Sequence, residues 1–512
     1  MKQNSIFGGA LLLTAVALLM RLVSIAFNVF LADRIGADGL GLLQLISTVG
    51  IFAMLVGSSG VRIAAMCLCA EEFGKRCLSG VRCAVNASLR YGLAVSSVTG
   101  LLLFLAAKPI AQHLLHDANA TLSLAVMGLL LPFSCLCGVM DAYCTACGKL
   151  RKLVAIQTSQ RLLSLLLTAL LLLFWAGSDR SRACCAIIAG SSLGSIFEFL
   201  LLYGQYRNDI GKTPLPQNPP KMKPRLLRLC IPIALNDYLR AGLNTAEQLL
   251  IPYGLARYAG SAVKAMADYG TVHAMVFPVL MFPAAILYSL SDLLVPELSR
   301  SRVMDRQLRI CDLTDKCLRL TLLFAGCVSG FLFCCARPLG LLLYGSADAG
   351  SYLQLFAPMV LMLYLDAITD GMLKGMAEQV SCVRYNTFTS LLDVVFLFLL
   401  LPRWGMGGYV FSFAVTHAIN LFLSLRRLLK VTGHRIECRH LFAPLACLLP
   451  ALAAALLPRA ASPLAELVRR GGTFLLLYLP LCLLSNALSQ KDISWLKGIF
   501  SPHSGTNLNK MT

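Results

Sequence analysis

The feature that most limits what this chain can fold into is a run of about 20 apolar residues, which recurs about fourteen times along 512 positions. A helix of that length rises about 30 Å, the thickness of a bilayer's hydrocarbon core. Hydrocarbon offers no hydrogen-bond partners, so each run must satisfy its own backbone amides as a helix. The composition agrees, with 57% of residues hydrophobic and 14% charged, where soluble domains carry roughly 25% charged residues. Soluble cores stop growing near about 250–300 residues, so lipid must cover the surplus apolar surface. The expected fold class is all-α, a polytopic membrane protein.

The first half reads as spans near 7–31, 40–66, 82–107, 119–140, 153–176 and 183–206. The second half reads as 229–252, 268–295, 316–336, 349–373, 380–401 and 407–425, with two more at 441–458 and 472–489. The run 7–31 is longer than a signal-peptide core and contains Arg21, so it is expected to stay as a span. The Lys- and Pro-rich stretch between the halves reads as a linker. The expected organisation is an N-terminal lobe 1–206, a cytoplasmic linker 207–228, a C-terminal lobe 229–428, a helix pair within 441–489 and a cytoplasmic tail 490–512.

The formal net charge of +20 would suggest nucleic acid in a soluble protein. Here the basic residues lie in short segments between apolar runs, which fits membrane orientation and argues against a nucleic-acid partner. The tails and even-numbered connections hold 26 Lys and Arg, against 11 in the odd-numbered connections. That bias places both termini in the cytoplasm.

The two halves superpose in sequence at an offset of 229: Arg90 with Arg319, Lys108-Pro109 with Arg337-Pro338, Asp141 with Asp370, and Trp175 with Trp404. Arg21 and Arg240, in the first helix of each half, pair at 219. Six helices per repeat is an even number, so both repeats enter from the same side. Transporters built from such parallel repeats hold substrate between the halves.

Charge inside a span costs at least about 2.5–3.5 kcal/mol and so should face a cavity or a partner. Asp237, Arg240, Asn244 and Glu247 recur at helical spacing and share a face. So do Arg21, Ser24 and Asn28 in the first span, and Gln44, Ser58 and Arg62 in the second. Arg keeps its charge in a low-dielectric cavity, and its planar fork matches phosphate oxygens. Arg21, Arg62, Arg240, Asn28, Asn244 and Glu247 are therefore candidate cavity residues for an anionic substrate. Arg240 could instead pair with Asp237 or Glu247 on its own helix. A second polar set comprises Asp366, Asp370 and Asp393 with Asn386; with Asp237 these carboxylates are candidates for ion coupling or for structural anchoring, and Arg384 is a possible partner of Asp370.

Twenty cysteines are scattered, many within apolar runs, where Cys acts as a small hydrophobe. No metal site is expected from Cys144-x-x-Cys147, because nearby Cys135 and Cys137 fall inside a span. No P-loop, HExxH, partnered GxSxG or Rossmann fingerprint occurs, so neither ATP-driven pumping nor enzyme chemistry is expected, and no cofactor.

Four segments carry a family resemblance: RIGADGLGLLQLI (Arg34–Ile46), SSGVRIAAMCLCAEE (Ser58–Glu72), CIPIALNDYL (Cys230–Leu239) and LLPRWGMGGYVFSFAVTHAINL (Leu400–Leu421). With these the chain resembles the multidrug/oligosaccharidyl-lipid/polysaccharide flippase superfamily, in its stage V sporulation protein B and polysaccharide-export branch. The resemblance implies an alternating-access transporter with helices 1–6 and 7–12 as lobes. It also implies that cations on helices 1, 2 and 7 or 8 meet a pyrophosphate, as in the related lipid II flippases, and that the last two helices form a groove for a polyprenyl tail. Arg21, Arg62 and Arg240 lie on comparable helices. Where many members read Gly-Ile-Pro, this chain reads Gly60-Val61-Arg62.

Two functions follow as expectations. The first is translocation of an undecaprenyl-pyrophosphate-linked saccharide, with membrane lipid and cell-wall or polysaccharide synthesis enzymes as partners. The second is cation-coupled drug antiport, which would call for cavity carboxylates rather than three arginines.

Overall fold

The computed structural model describes residues 3–176, 179–210, 222–434, 438–456 and 462–485. These residues form helices joined by tight turns. The long elements are α1 (Gln3–Ser58), α2 (Val61–Gly74), α3 (Leu78–Leu105), α4 (Ala120–Ala146), α5 (Leu150–Leu171) and α6 (Arg180–Asp209). They continue as α7 (Met222–Ala259), α8 (Ala262–Gly270), α9 (Ala284–Val303), α10 (Gln307–Tyr344), α11 (Ala347–Phe356) and α12 (Val360–Gly375). The last are α13 (Gln379–Trp404), α14 (Met406–Thr432), α15 (Cys438–Leu456) and α16 (Pro463–Leu484).

Among the described residues ten helices are long and apolar enough to cross a membrane, eleven with one bent pair. The expectation of about fourteen differs for identifiable reasons. Expected spans 1 and 2 merge in α1, which breaks only at Gly36, where φ is 70° and a side chain would be strained. α7 carries the charged face noted above, and only a short apolar part of α15 qualifies. The expected linker is helical at both ends, in α6 to Asp209 and in α7 from Met222, while 211–221 and the expected tail lie outside the described residues.

The chain divides into two compact units, Ile35–Tyr253 and Met1–Arg34 with Gly254–Thr512. The division falls at Ile35 and Tyr253 rather than at the linker, so each unit contains the first helix of the other repeat. In the first unit, Leu68, Val85, Met140, Tyr143, Leu202, Leu226 and Cys230 share one core, joining α2, α3, α4, α6 and α7. In the second, α15 and α16 pack on α10 through Cys447, Ala451, Phe474 and Tyr478. Tyr478 donates to the Leu323 carbonyl (3.1 Å) and Arg470 to that of Cys334 (3.2 Å). Burying a cation there requires a counter-charge, which Glu466 supplies at 2.5 Å.

The repeat is visible in the backbone. Left-handed residues recur at the 229 offset: Arg76 with Asp305, His116 with Gly345, and Gly148 with Ala377. Equivalent turns thus have equivalent geometry although their residue types differ.

Candidate functional site

Each unit contains a span that breaks partway along, and in each the break is served by the first helix of the other repeat. In the second unit the eighth expected span runs through α8, a π-helical turn (Thr271–Val276) and a short helix (Phe277–Met281), then bends by 59° into α9. Pro283 accounts for the bend, since it has no N–H and its ring clashes with the preceding turn. The amides beyond it slip to tighter bonds, Ala285 to the Phe282 carbonyl and Ile286 to that of Pro283. The carbonyls of Leu280 and Met281 are left to other donors. Tyr364 Oη donates to Leu280 (2.8 Å) and Arg21 Nη1 to Met281 (2.8 Å). Asn28 Nδ2, two turns along α1, reaches the Ala274 carbonyl in the π-helical turn (3.5 Å).

In the first unit the helix breaks at Ser59 and Gly60, both left-handed (φ 43° and 70°). α7 crosses there so closely that a Cβ on Gly60 would lie 2.9 Å from the Cys230 carbonyl. Tyr238 Oη donates to the Val56 carbonyl (3.2 Å), and Ser59 Oγ shares a bond with Tyr91 Oη (3.0 Å). Arg62 opens α2 just past the break.

The candidate cavity residues are therefore divided between the two units. Arg62, Arg240, Asn244 and Glu247 belong to the first unit, and Arg21 and Asn28 to the second. Arg62 is exposed, its stem against Gly138 and its charge within electrostatic reach of Asp141. Arg240 is exposed on α7, roughly 10–15 Å beyond the Gly60 crossing at 1.5 Å per residue and on the other side of it from Arg62. Asn244 is exposed too, and the half-buried Asp237 and Glu247 are both engaged with neighbours. Arg21 is part-buried, with its guanidinium carbon 5.6 Å from the centre of the Tyr288 ring. Tyr288 in turn feels the charge of Asp366.

Neutral groups donate to the carboxylates of the second polar set. Asn420 Nδ2 donates to both oxygens of Asp366 (3.0 and 2.9 Å). Ser412 and Thr416 donate to Asp393 Oδ1 (2.5 and 3.3 Å). Asp370 accepts from Asn386 (3.4 Å), as its repeat mate Asp141 does from Gln157 (3.2 Å). Gln157 and Asn386 are themselves 229 apart, and the second oxygen of each Asp is buried without a partner. The expected pairing of Asp370 with Arg384 is corrected: Arg384 lies over the Tyr385 ring (5.3 Å), and Asn386, two residues on, occupies the facing position.

At the helix ends with the basic turns, each repeat ties its fourth connection to its sixth helix by an ion pair, with the signs reversed. In the first unit Lys149 meets Asp209 at 2.6 Å and Tyr143 Oη at 2.9 Å. In the second, Glu378, at the position equivalent to Lys149, takes Arg427 on both oxygens (2.7 and 3.1 Å). Hydrogen bonds from Arg427 and Ser381 hold the Glu378 carboxyl below the ordinary range. Burial works against charge on Lys149, but the bonds to Asp209 and Tyr143 outweigh it and raise its pKa. Arg225 at the start of α7 clamps Glu71 and Glu72, and Lys75 adds a second cation at 3.0 Å from Glu72. Burial opposes ionisation of Glu72, yet Lys75 and Arg225 hold its pKa low.

Sequence reasoning did not single out the Ser59–Gly60 break, Tyr238, Tyr288 or Tyr364. A Ser-Ser-Gly within an apolar run marks a break, and a tyrosine there is a long donor able to reach a freed carbonyl.

The MatE family profile matches residues 13–170. The stage V sporulation protein B of Bacillus subtilis (strain 168) is 22% identical over 418 residues, covering 80% of each chain. Among solved structures, the lipid II flippase MurJ in an inward closed conformation superposes with a TM-score of 0.69 over 93% of this chain and 99% of its own, at 13% identity. An inward-facing multidrug resistance MATE family transporter of the MOP superfamily gives 0.57 over 80% of this chain and 95% of its own, at 14% identity.

Proposed function

We propose that this chain, a membrane transporter of the multidrug/oligosaccharidyl-lipid/polysaccharide flippase superfamily, carries an undecaprenyl-pyrophosphate-linked saccharide across the cytoplasmic membrane by alternating access, with both termini in the cytoplasm. The observation that carries the reading is Arg21, a cation kept inside a span at a broken helix, where only one of its five N–H groups is given to Met281 among the described contacts. Remaining donors in a low-dielectric setting suit a pyrophosphate. The fuller match to the lipid II flippase than to the drug transporter supports the same cargo class. Arg62 and Arg240, exposed on α2 and α7, are proposed to meet the same headgroup at other stages of transport. α15 and α16 are proposed to accommodate the polyprenyl tail.

A second reading is cation-coupled antiport of drugs. The intramembrane carboxylates Asp366, Asp370 and Asp393 favour it, as does the MatE match. Vesicles containing the purified protein separate the two. On the first reading they move undecaprenyl-pyrophosphate-linked saccharide between leaflets, and Arg21→Ala abolishes that movement without loss of folded protein. Normal flipping by Arg21→Ala overturns it. Export of a cationic dye driven by inward flow of protons or sodium ions down an imposed gradient, with no lipid movement, establishes the second.

A further inference from the structure

The contact between Arg21 and Met281 joins a candidate substrate group to a bend in the backbone. Met281 is the residue whose carbonyl would accept from Ala285 if the helix continued, and Ala285 is bonded to Phe282 instead (3.3 Å). A carbonyl freed in this way inside a membrane needs another donor. Arg21 supplies it, in the place that the Ala285 amide would hold in a continuous helix. While Arg21 holds Met281, the tighter bonding that accompanies the 59° bend is satisfied. When Arg21 leaves, Met281 regains a partner only if the Ala285 amide moves back to it, which opens the bend. Tyr364 caps Leu280 from α12 and does not depend on Arg21, so the adjacent carbonyl stays satisfied in either state.

We infer that Arg21 is the coupling element between cargo and backbone: an anionic headgroup that draws its guanidinium away from Met281 relaxes the bend of the eighth span toward the smaller kink that Pro283 imposes by itself. Tyr288 is the positioning residue, its ring beneath the guanidinium keeping the side chain at the break as its N–H groups are redistributed. The first unit has the corresponding arrangement with a neutral cap, Tyr238 on Val56. An anion has no comparable pull on a phenol, so of these two described breaks the charge-sensitive one is in the second unit.

The size of the change follows from helix geometry. The arms 262–282 and 284–303 are each about 30 Å long, so their far ends lie about 52 Å apart at this bend, against a straight-helix limit of about 60 Å that the Pro283 kink keeps the span from reaching. Nitroxides at Val263 and Val303, both well exposed, span the break. They are attached through encoded ketone side chains, since twenty native cysteines rule out thiol labelling. Pulsed electron spin resonance on the full chain in nanodiscs reads the separation.

The first arm needs no ligand. Arg21→Met, which cannot bond the carbonyl, should lengthen the separation by a few ångströms, short of the straight-helix limit of about 8 Å, and Arg21→Gln, which keeps a donor on a shorter side chain without the charge, should lengthen it less. Tyr364→Phe is the comparison for general loosening at the break. Unchanged distances in both Arg21 variants overturn the inference whatever the cargo is.

The second arm rests on the proposed function and uses undecaprenyl pyrophosphate, with undecaprenol as the tail-only control. The pyrophosphate lipid should lengthen the wild-type separation, undecaprenol should not, and Tyr288→Leu should weaken the response more than Tyr288→Phe. Saturable binding of the pyrophosphate lipid with no change in distance also overturns the inference. Absence of binding, with the ligand-free arm positive, refutes the cargo assignment and leaves the coupling standing.

Discussion

Gly60→Ala tests the first-unit break directly. The residue sits at φ 70° in the left-handed region, which costs an L-residue about 1–2 kcal/mol. Its new Cβ would lie 2.9 Å from the Cys230 carbonyl and 3.1 Å from Cβ of Ile233, both on α7. The carbonyl belongs to a helix that must shift as a body, and overpacking of that kind costs about 1–3 kcal/mol. The sum is about 2–5 kcal/mol. Gly148→Ala separates the two contributions, because Gly148 is also left-handed (φ 71°) but has nothing within 4 Å. It should lose only the backbone part, about 1–2 kcal/mol. Gly74→Ala, with open space around it and no positive φ, should be neutral or slightly stabilising. Thermal unfolding of the three variants in one detergent ranks them. Equal losses for Gly60→Ala and Gly148→Ala would show that α7 does not press on the break, and the account of this unit would fail.

Three further outcomes are expected. Lys149→Glu should destabilise the first unit by about 1 kcal/mol or less, and adding Asp209→Lys should restore it by reproducing the polarity of the second repeat, as read by thermal unfolding of single and double variants. The stabilisation from Glu72 is present above the ordinary carboxylate pKa and is lost as pH falls through its lowered folded value, so wild type should exceed Glu72→Gln in unfolding temperature by a constant margin from neutral pH down to about 4.5 and converge with it only below. Convergence already at pH 6 would contradict the clamp by Arg225 and Lys75. Arg470→Met should loosen α16 from α10 by about 1–3 kcal/mol, because it leaves Glu466 partly buried without its cation; a lower unfolding temperature measures it, and pairing it with Glu466→Gln should recover part of the loss.

Much of this protein is determined by local chemistry and is legible residue by residue. Apolar runs must be helices in lipid, so element type and approximate position follow from composition alone. The 229 offset was readable because Arg, Asp and Trp are scarce among Leu and Ala, and it recurs in the structure as the matched contacts Asp141–Gln157 and Asp370–Asn386. The charges of Arg21, Arg62 and Arg240 marked positions that needed a partner.

What those partners are belonged to the tertiary structure. A polar side chain on an apolar helix states a need but not who meets it, and the answer depends on which helix lies alongside. Arg21 meets a backbone carbonyl freed 260 residues away, Asp370 an asparagine rather than the nearby Arg384. The partition into units was equally hidden, because apolar faces of Leu, Val and Ala fit many neighbours about equally well in lipid, where packing alone discriminates. That packing is why the first helix of each repeat is housed with the other repeat, and why the two breaks are capped from there.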